Sequence, residues 1–259
     1  MKKPPYEITD TIVNLVADIS AMLPVLLPKV SMQLRKECNV RSIHSSLAIE
    51  NNSLSLEQVS DIVNGRRVIG PPSEIQEVKN AYNAYSQIET FQPYSIIDFC
   101  KAHKLMMKDL VASPGEFRHQ GVGVYAGNVL IHAAPKAEYV HSHMKNLFDW
   151  AKSSDVHPLI KSSVVHYEIE FIHPFLDGNG RMGRLWQTVI LSNWDSLFLS
   201  LPTETIVFKK QHEYYAVLAE SDKEGSSTTF IEFMLLVIVE SLKYRLTNKG
   251  KEALGQKLQ

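Results

Sequence analysis

Apolar residues recur along most of this chain three and four positions apart, the period of an amphipathic helix, and one stretch alone breaks that rhythm. The pattern predicts one or two helices over residues 7–38, interrupted near Pro24 and Pro28. A short helix follows from Ser55 to Asn64, with Ser55 as N-cap and Gly65 just past the end. Gly70-Pro71-Pro72 reads as a turn. Ser73–Thr90 and Ser95–Leu110 come next, each helix opened by a serine cap, and later helices are expected over about 138–152, 158–173, 181–194, 208–221 and 228–246. Between Pro114 and Pro135 the period shifts to two. Glycines 115, 121, 123 and 127 punctuate Val122, Val124, Val129 and Ile131, which predicts a β-hairpin with Gly127-Asn128 near its turn. The polar tail from residue 247 is expected to fray. There is no internal repeat, and no Pro-, Gly- or Ser-rich linker splits the chain. The expected fold class is all-α: one helical domain with a small hairpin.

Composition narrows the function classes. With 259 residues, 44% hydrophobic and 21% charged, the chain can bury a sizeable core. A formal net charge of −1 gives no bulk attraction to nucleic acid or a membrane surface, and Arg66-Arg67 is too small a patch for nucleic-acid recognition. Two cysteines, Cys38 and Cys100, make no disulfide framework and suit a reducing compartment. No apolar run follows the lysines of MKKPPYEITD, so no signal peptide is expected. Phe230–Leu242 is interrupted by Glu232 and Glu240 and reads as a buried helix, not a membrane span. The expectation is a soluble, cytoplasmic protein. His141 and His143 have no cysteine or acidic partner at zinc-like spacing and read as solvated.

The chemistry concentrates in His-Pro-Phe-Leu-Asp-Gly-Asn-Gly-Arg-Met-Gly-Arg, residues 173–184. The apolar helix before it should end at His173, because Pro174 disfavours helical backbone there. Glycines around Asn179 allow a tight turn and close approach to the backbone. In the following helix Met182, Leu185, Trp186, Val189 and Ile190 form the buried stripe, leaving Arg181 and Arg184 on an exposed face near the first turn. Arginines there oppose the helix macrodipole, a conflict that a bound anion would resolve. Asp177 is a hard-oxygen ligand suited to Mg²⁺. Each residue alone has a plainer reading: a satisfied histidine, two solvated arginines, an aspartate of turn chemistry. Their proximity favours a phosphate site with a base beside it. Gly178-Asn-Gly180-Arg-Met-Gly183 also matches the dinucleotide fingerprint GxGxxG, but no strand precedes it and no βαβ unit surrounds it. Walker A and kinase signatures are absent.

The string 173–184 resembles the signature of the Fic (filamentation induced by cAMP) family. The likeness extends to Gly115-Glu116-Phe117-Arg118, similar to the lead-in of that family's flap hairpin, and loosely to Tyr214-Tyr215 and Phe230-Ile231-Glu232-Phe233. Ser46-Leu47-Ala48-Ile49-Glu50-Asn51 fits [S/T]xxxE[G/N], the inhibitory-helix pattern of one subgroup, although it could equally be a capping box or a surface glutamate.

The resemblance implies a Fic-type helical bundle with a β-hairpin flap. It divides the chain into a helical region 1–90 carrying the inhibitory motif, a core 91–246 and a polar tail 247–259. The activity implied is transfer of AMP from ATP to Ser, Thr or Tyr hydroxyls of a target protein and of the chain itself. His173 would be the base and Asp177 the Mg²⁺ ligand. Gly178, Asn179, Gly180, Arg181, Gly183 and Arg184 would hold the nucleotide, with Asn179 lending amide donors. Tyr214 and Tyr215 would lie on the adenine side, unless they are core residues. Ser46 and Glu50 would be regulatory, with Glu50 drawing Arg184 away from the γ-phosphate. The implied partners are a target protein docked on the hairpin near residues 121–133 and a second copy of the chain; nucleic acid and membrane are not expected. Removal of AMP, transfer of UMP, phosphocholine or phosphate, and a non-catalytic nucleotide- or partner-binding module are the alternatives.

Overall fold

The computed structural model describes residues 3–26, 32–126 and 129–255. Its centre is a pair of helices, α7 (Pro158–Ile172) and α8 (Asn179–Trp194), which make the most extensive helix–helix contact in the molecule. Serines 162 and 163 and His166 are as buried as the leucines and valines of α7, so the helix is enclosed on nearly every side, as expected when apolar residues run round the whole circumference. Trp186 of α8 is wholly buried; its indole N–H donates to the Pro93 carbonyl (3.0 Å), and its ring meets Phe99 edge-on at 5.1 Å.

Around this pair lie α1 (Asp10–Met22), α2 (Met32–Ile49), α3 (Leu56–Val63), α4 (Pro72–Tyr85), α5 (Ile96–Met106), α6 (Ala137–Ser153), α9 (Thr203–Lys209), α10 (Gln211–Glu224) and α11 (Thr228–Gly255). A smaller apolar cluster, centred on Tyr214, Phe230 and Met234, joins the last three helices to α7. Two strands, β1 (Gly123–Ala126) and β2 (Val129–Ala133), pair antiparallel, with Gly123 opposite Ala133, Ala126 opposite Val129 and a register shift between Val124 and Tyr125. The expected turn at Gly127-Asn128 lies outside the described residues. No helix among the described residues is long and apolar enough to cross a membrane.

Several boundaries differ from expectation for local reasons. The first helix starts at Asp10, because Thr9 accepts from the Ile12 N–H and caps it, and the second continues to Ile49. Ser55 caps α3 as expected, in a capping box with Gln58. Ser73 caps nothing: Pro72 takes the first helical position, where its missing N–H costs no bond, and α4 stops at Tyr85. Ser95 does cap α5, which ends at Met106, not Leu110; Asp109 turns left-handed beyond it. The helix expected over 208–221 is α10, which starts at Gln211 and runs to Glu224; residues 208 and 209 end the separate helix α9. The C-terminal helix passes through the supposed tail boundary at 246 and runs to Gly255.

Replacing Trp186 with Ala removes the largest fully buried side chain and its hydrogen bond. Chemical denaturation should show a loss of about 3–5 kcal/mol.

Candidate active site

The end of α7 is held under strain. His173 adopts left-handed backbone (φ 51°, ψ 60°), which costs an ordinary residue roughly 1–2 kcal/mol. Among the described residues only Asn51, Asp109 and His173 do so without being glycine, and two of these three belong to this site. Arg118 supplies the brace. Buried to 2% exposure, it donates to the carbonyls of His173 (2.7 Å), Ile172 (3.2 Å), Pro135 (2.6 Å) and Gln120 (2.8 Å), and its backbone N–H donates to Pro174 (2.9 Å). A cation also suits the carbonyl-rich end of a helix. The imidazole Nδ1 lies 3.3 Å from the Glu170 carbonyl. With the proton on Nδ1, Nε2 carries the lone pair, the form a general base requires.

The loop that follows closes on itself. Asn179 Oδ1 accepts from the Phe175 N–H (2.9 Å) and its Nδ2 donates to the Phe175 carbonyl (3.0 Å). The amide oxygen and one of its two N–H donors are therefore committed to the turn, and the side chain is 2% exposed. Phe175 stacks on His103 at 3.5 Å and 4°. His103 in turn accepts from the Gly115 N–H (2.8 Å) and lies 3.0 Å from the Asp177 carbonyl. These contacts fix Nδ1 as acceptor and Nε2–H as donor, a neutral ring. Burial accordingly pulls its pKa down to about 4. Gly178 sits at φ +83°, with Met107 Sδ 2.6 Å from where a Cβ would be, so both conformation and space demand glycine.

Helix α8 starts at Asn179, two residues earlier than expected, with the first intrahelical bond from Met182 N–H to the Gly178 carbonyl (3.0 Å). The N–H groups of Asn179, Gly180 and Arg181 thus have no intrahelical acceptor and converge at the positive end of the helix. The Asp177 carboxylate, 61% exposed, accepts from Gly178 N–H (2.6 Å) and from Arg181 Nη2 (3.2 Å to each oxygen).

The two arginines are not on an exposed face. Arg181 is 4% exposed and Arg184 3%. Helices α2 and α4, far away in sequence, cover them with acceptors. Arg181 Nη1 meets Glu77 Oε1 of α4 at 3.4 Å, while its Nε is buried without a partner. Arg184 donates from Nε to Ser46 Oγ (3.1 Å) and from Nη2 to the Ser46 carbonyl (3.0 Å) and Glu50 Oε1 (2.6 Å). Burial alone would depress the Arg184 pKa, but the carboxylates of Glu50 and Glu170, with the Tyr214 phenol, push it above the ordinary arginine value. A Cβ on Gly180 would collide with Glu50 Oε1, so the carboxylate rests on the backbone of the first turn of α8.

The end of α2 explains the residue after Glu50. Asn51 is left-handed (φ 67°); its N–H bonds to Ala48 (3.0 Å) and that of Asn52 to Leu47 (3.1 Å), a Schellman ending with Glu50 as the C-cap. Asparagine or glycine fits there because the position is left-handed. Gln211 Nε2 and Tyr215 Oη both donate to the Ile49 carbonyl (3.0 and 3.2 Å), so α10 grips the same end. Tyr215 is 46% exposed. Tyr214 is 1% exposed, its hydroxyl between His166 Nε2 (3.0 Å) and Glu170 Oε1 (3.3 Å). Gly183 leaves room for His166 and Glu170 against α8. Burial pushes Glu170 up, yet His166, Arg184 and His173 around it more than offset that and hold its carboxyl low.

Among the described residues no three His, Cys, Asp or Glu side chains converge as a metal cage. The exposed carboxylate of Asp177 beside an anion cradle instead suits a Mg²⁺ that takes its other ligands from phosphate and water. The sequence reading missed Arg118 as the brace of His173, His103 and Phe175 as the loop's support, and Glu77 on Arg181. Only Arg118 carried a signal, as part of Gly115-Glu116-Phe117-Arg118. The assembled parts are an imidazole able to serve as a base, a set of helix N-terminal N–H groups with two arginines able to hold an anion, and a carboxylate able to hold a divalent cation.

The family model for the Fic/DOC family matches residues 93–191, which span the His103 and Arg118 supports, the loop and most of α8. A crystal structure of a Fic family protein from Desulfovibrio desulfuricans G20 superposes with a TM-score of 0.93 at 45% identity, covering 96% of this chain and 78% of that one. Protein adenylyltransferase Fic of Nematostella vectensis is 29% identical over 77% of this chain and 47% of its own length. Protein adenylyltransferase fic-1 of Caenorhabditis elegans is 28% identical over 72% of this chain and 37% of its own. The chain spans less than half the length of these curated relatives.

The lowered pKa of His103 has a testable sign. The unfolded imidazole takes up a proton near its ordinary 6.5, whereas the folded ring resists protonation down to about 4. Stability should therefore be full above pH 6.5, fall between 6.5 and 4 by up to about 3 kcal/mol, and stay reduced below. Urea titrations across that range should show a flatter profile for His103→Gln; an unaltered slope would assign the titration to another group.

Proposed function

The chain belongs to the Fic/DOC family, and from that premise we propose that it is a protein adenylyltransferase moving AMP from ATP to Ser, Thr or Tyr hydroxyls of a target protein and of itself. The observation that carries this reading is the gathering of two buried arginines, Arg181 and Arg184, at the N-terminal end of α8, directly after the loop that begins at His173. Glu50, Glu77 and Asp177 balance these cations and leave the Nε of Arg181 without a partner, so an anion that displaced a carboxylate would meet donors already in place.

In the transfer, His173 Nε2 takes the proton of the target hydroxyl as its oxygen bonds to the α-phosphorus. The bond from that phosphorus to the bridging oxygen breaks, and pyrophosphate leaves. The backbone N–H groups of Asn179, Gly180 and Arg181 hold phosphate oxygens, and Arg181 and Arg184 neutralise the departing charge. Asp177 would hold Mg²⁺, which when bound supplies further neutralisation of the phosphates. The β1–β2 pair offers an edge along which an extended target segment could add as a strand and present its hydroxyl. Of the paired tyrosines, exposed Tyr215 is the better candidate for the adenine side.

Glu50 is the inhibitory residue on this reading: it occupies Arg184 and rests on Gly180, where a terminal phosphate would lie. Residues 1–90 then act as a regulatory region on a transfer core at 91–246, in the manner of the inhibitory-helix subgroup. A second reading, removal of AMP with Glu50 orienting a water, is favoured by the partial exposure of that carboxylate (31%) beside the same loop.

Incubation with labelled ATP and Mg²⁺, followed by mass spectrometry, tests the assignment. Glu50→Gly should gain mass equal to one AMP well above wild type. His173→Ala in the Glu50→Gly background should lose about 10²–10⁴-fold in rate while still binding nucleotide. If Glu50→Gly acquires no AMP, or acquires only phosphate, the adenylyltransferase reading fails.

A further inference from the structure

Away from the site just described, a cavity of about 260 Å³ lies where α2, α4 and α8 meet α9 and the segment just before it. Its floor is Glu204, 3% exposed. Ser42 Oγ donates to one carboxylate oxygen (2.7 Å); Tyr85 Oη (3.2 Å) and Thr188 Oγ1 (3.3 Å) donate to the other. Burial, with Glu204 beside it, keeps the Tyr85 phenol well above its usual pKa and hence a donor. No lysine, arginine or histidine among the described residues forms an ion pair with Glu204. A carboxylate offers about four acceptor positions, of which these hydroxyls fill three. Asn39 Oδ1, in the same wall, is buried and accepts nothing. The interior therefore presents two acceptors in need of a donor, one of them a buried negative charge without a cation, an arrangement that is costly when left incomplete.

The mouth has the opposite character. Arg35 stands there, 3.6 Å from Glu89, and Lys36 beside it bonds to Asn64 (2.7 Å). Ile88, Leu199 and Leu201 supply an apolar side. The volume lies just below the range of pockets that take drug-sized ligands, so only a small molecule fits.

We propose that this cavity binds a free aliphatic amino acid, with its ammonium between Glu204 and Asn39 Oδ1, its carboxylate at Arg35 and its side chain against Leu199 and Leu201. An ammonium has three donors and one positive charge, which is what the floor lacks. Glutamate, arginine and apolar wall then match a zwitterion end to end. The wall is shared with the inhibitory contact: Ser42 lies one turn before Ser46 on α2, and Tyr85 touches both Glu204 and Ser46.

Isothermal titration of the full chain with glycine, alanine, valine and leucine tests this, with isobutylamine and N-acetylvaline as arms lacking one charge each. At least one free amino acid should bind with a single site, more tightly than isobutylamine, and N-acetylvaline should give no heat. Glu204→Gln should weaken binding about thirtyfold or more while far-UV circular dichroism stays unchanged. Arg35→Ala, a surface change that leaves the core intact, should weaken the amino acid but not isobutylamine, and this arm decides if Glu204→Gln does not fold. The proposal is overturned if no amino acid binds, if N-acetylvaline or isobutylamine binds as well as the amino acid, or if both substitutions leave affinity unchanged. The readout is binding alone, so it stands apart from any failure of the transferase reading.

Discussion

A buried guanidinium has to be answered by acceptors, and Arg184 is answered from a helix 138 residues earlier in the chain. Taking that charge out of water costs several kcal/mol unless it is paired and hydrogen-bonded, so the end of α2 cannot leave this position without a replacement. Ser46 gives Arg184 two oxygens and Glu50 gives it a charge. The same demand acts on Arg181, which Glu77 of α4 and Asp177 of the loop meet only in part. The amino-terminal helices are thereby fastened to α8 by electrostatics as well as by apolar packing.

The loop between α7 and α8 is held by a different device. Little in it is free to relax: Arg118 draws in the carbonyls at the end of α7, Asn179 ties back to Phe175, and His103 bridges Gly115 to Asp177. The positive φ of His173 persists because these bonds over-determine it. In the proposed transfer the effect of His173 comes from positioning, and such bracing would supply it in advance. The neutral, buried His103 belongs to that scaffold and carries no charge into the site.

Features set by neighbours in sequence were legible before the fold was known. The capping box at Ser55 with Gly65 beyond α3, the end of α7 before Pro174 and the glycine turn at 178 all follow from local rules. What escaped depends on distant partners. A helical wheel puts Arg181 and Arg184 together on the face away from Leu185 and Trp186, and nothing in that wheel reveals that α2 and α4 cover it. His103 is one histidine on one helix until the fold stacks it on Phe175. The side-chain amide of Asn179 ties back four residues to Phe175, a loop-closing bond that the motif alone does not reveal. The helix boundary at Lys210 also went unread: the expected helix over 208–221 begins inside the last turn of α9, which ends at Lys209, whereas α10 starts at Gln211.

The left-handed Asn51 has one more consequence. By ending α2 at that point it leaves an acidic side chain at the tip of the helix where the unshared carbonyls already concentrate negative potential. Glu50 is therefore frustrated in its own helix, by an amount on the order of 0.3–1 kcal/mol, and is content only against Arg184. The tie to Arg184 offsets that cost, so the tip of α2 is held against α8 by a carboxylate that its own helix disfavours.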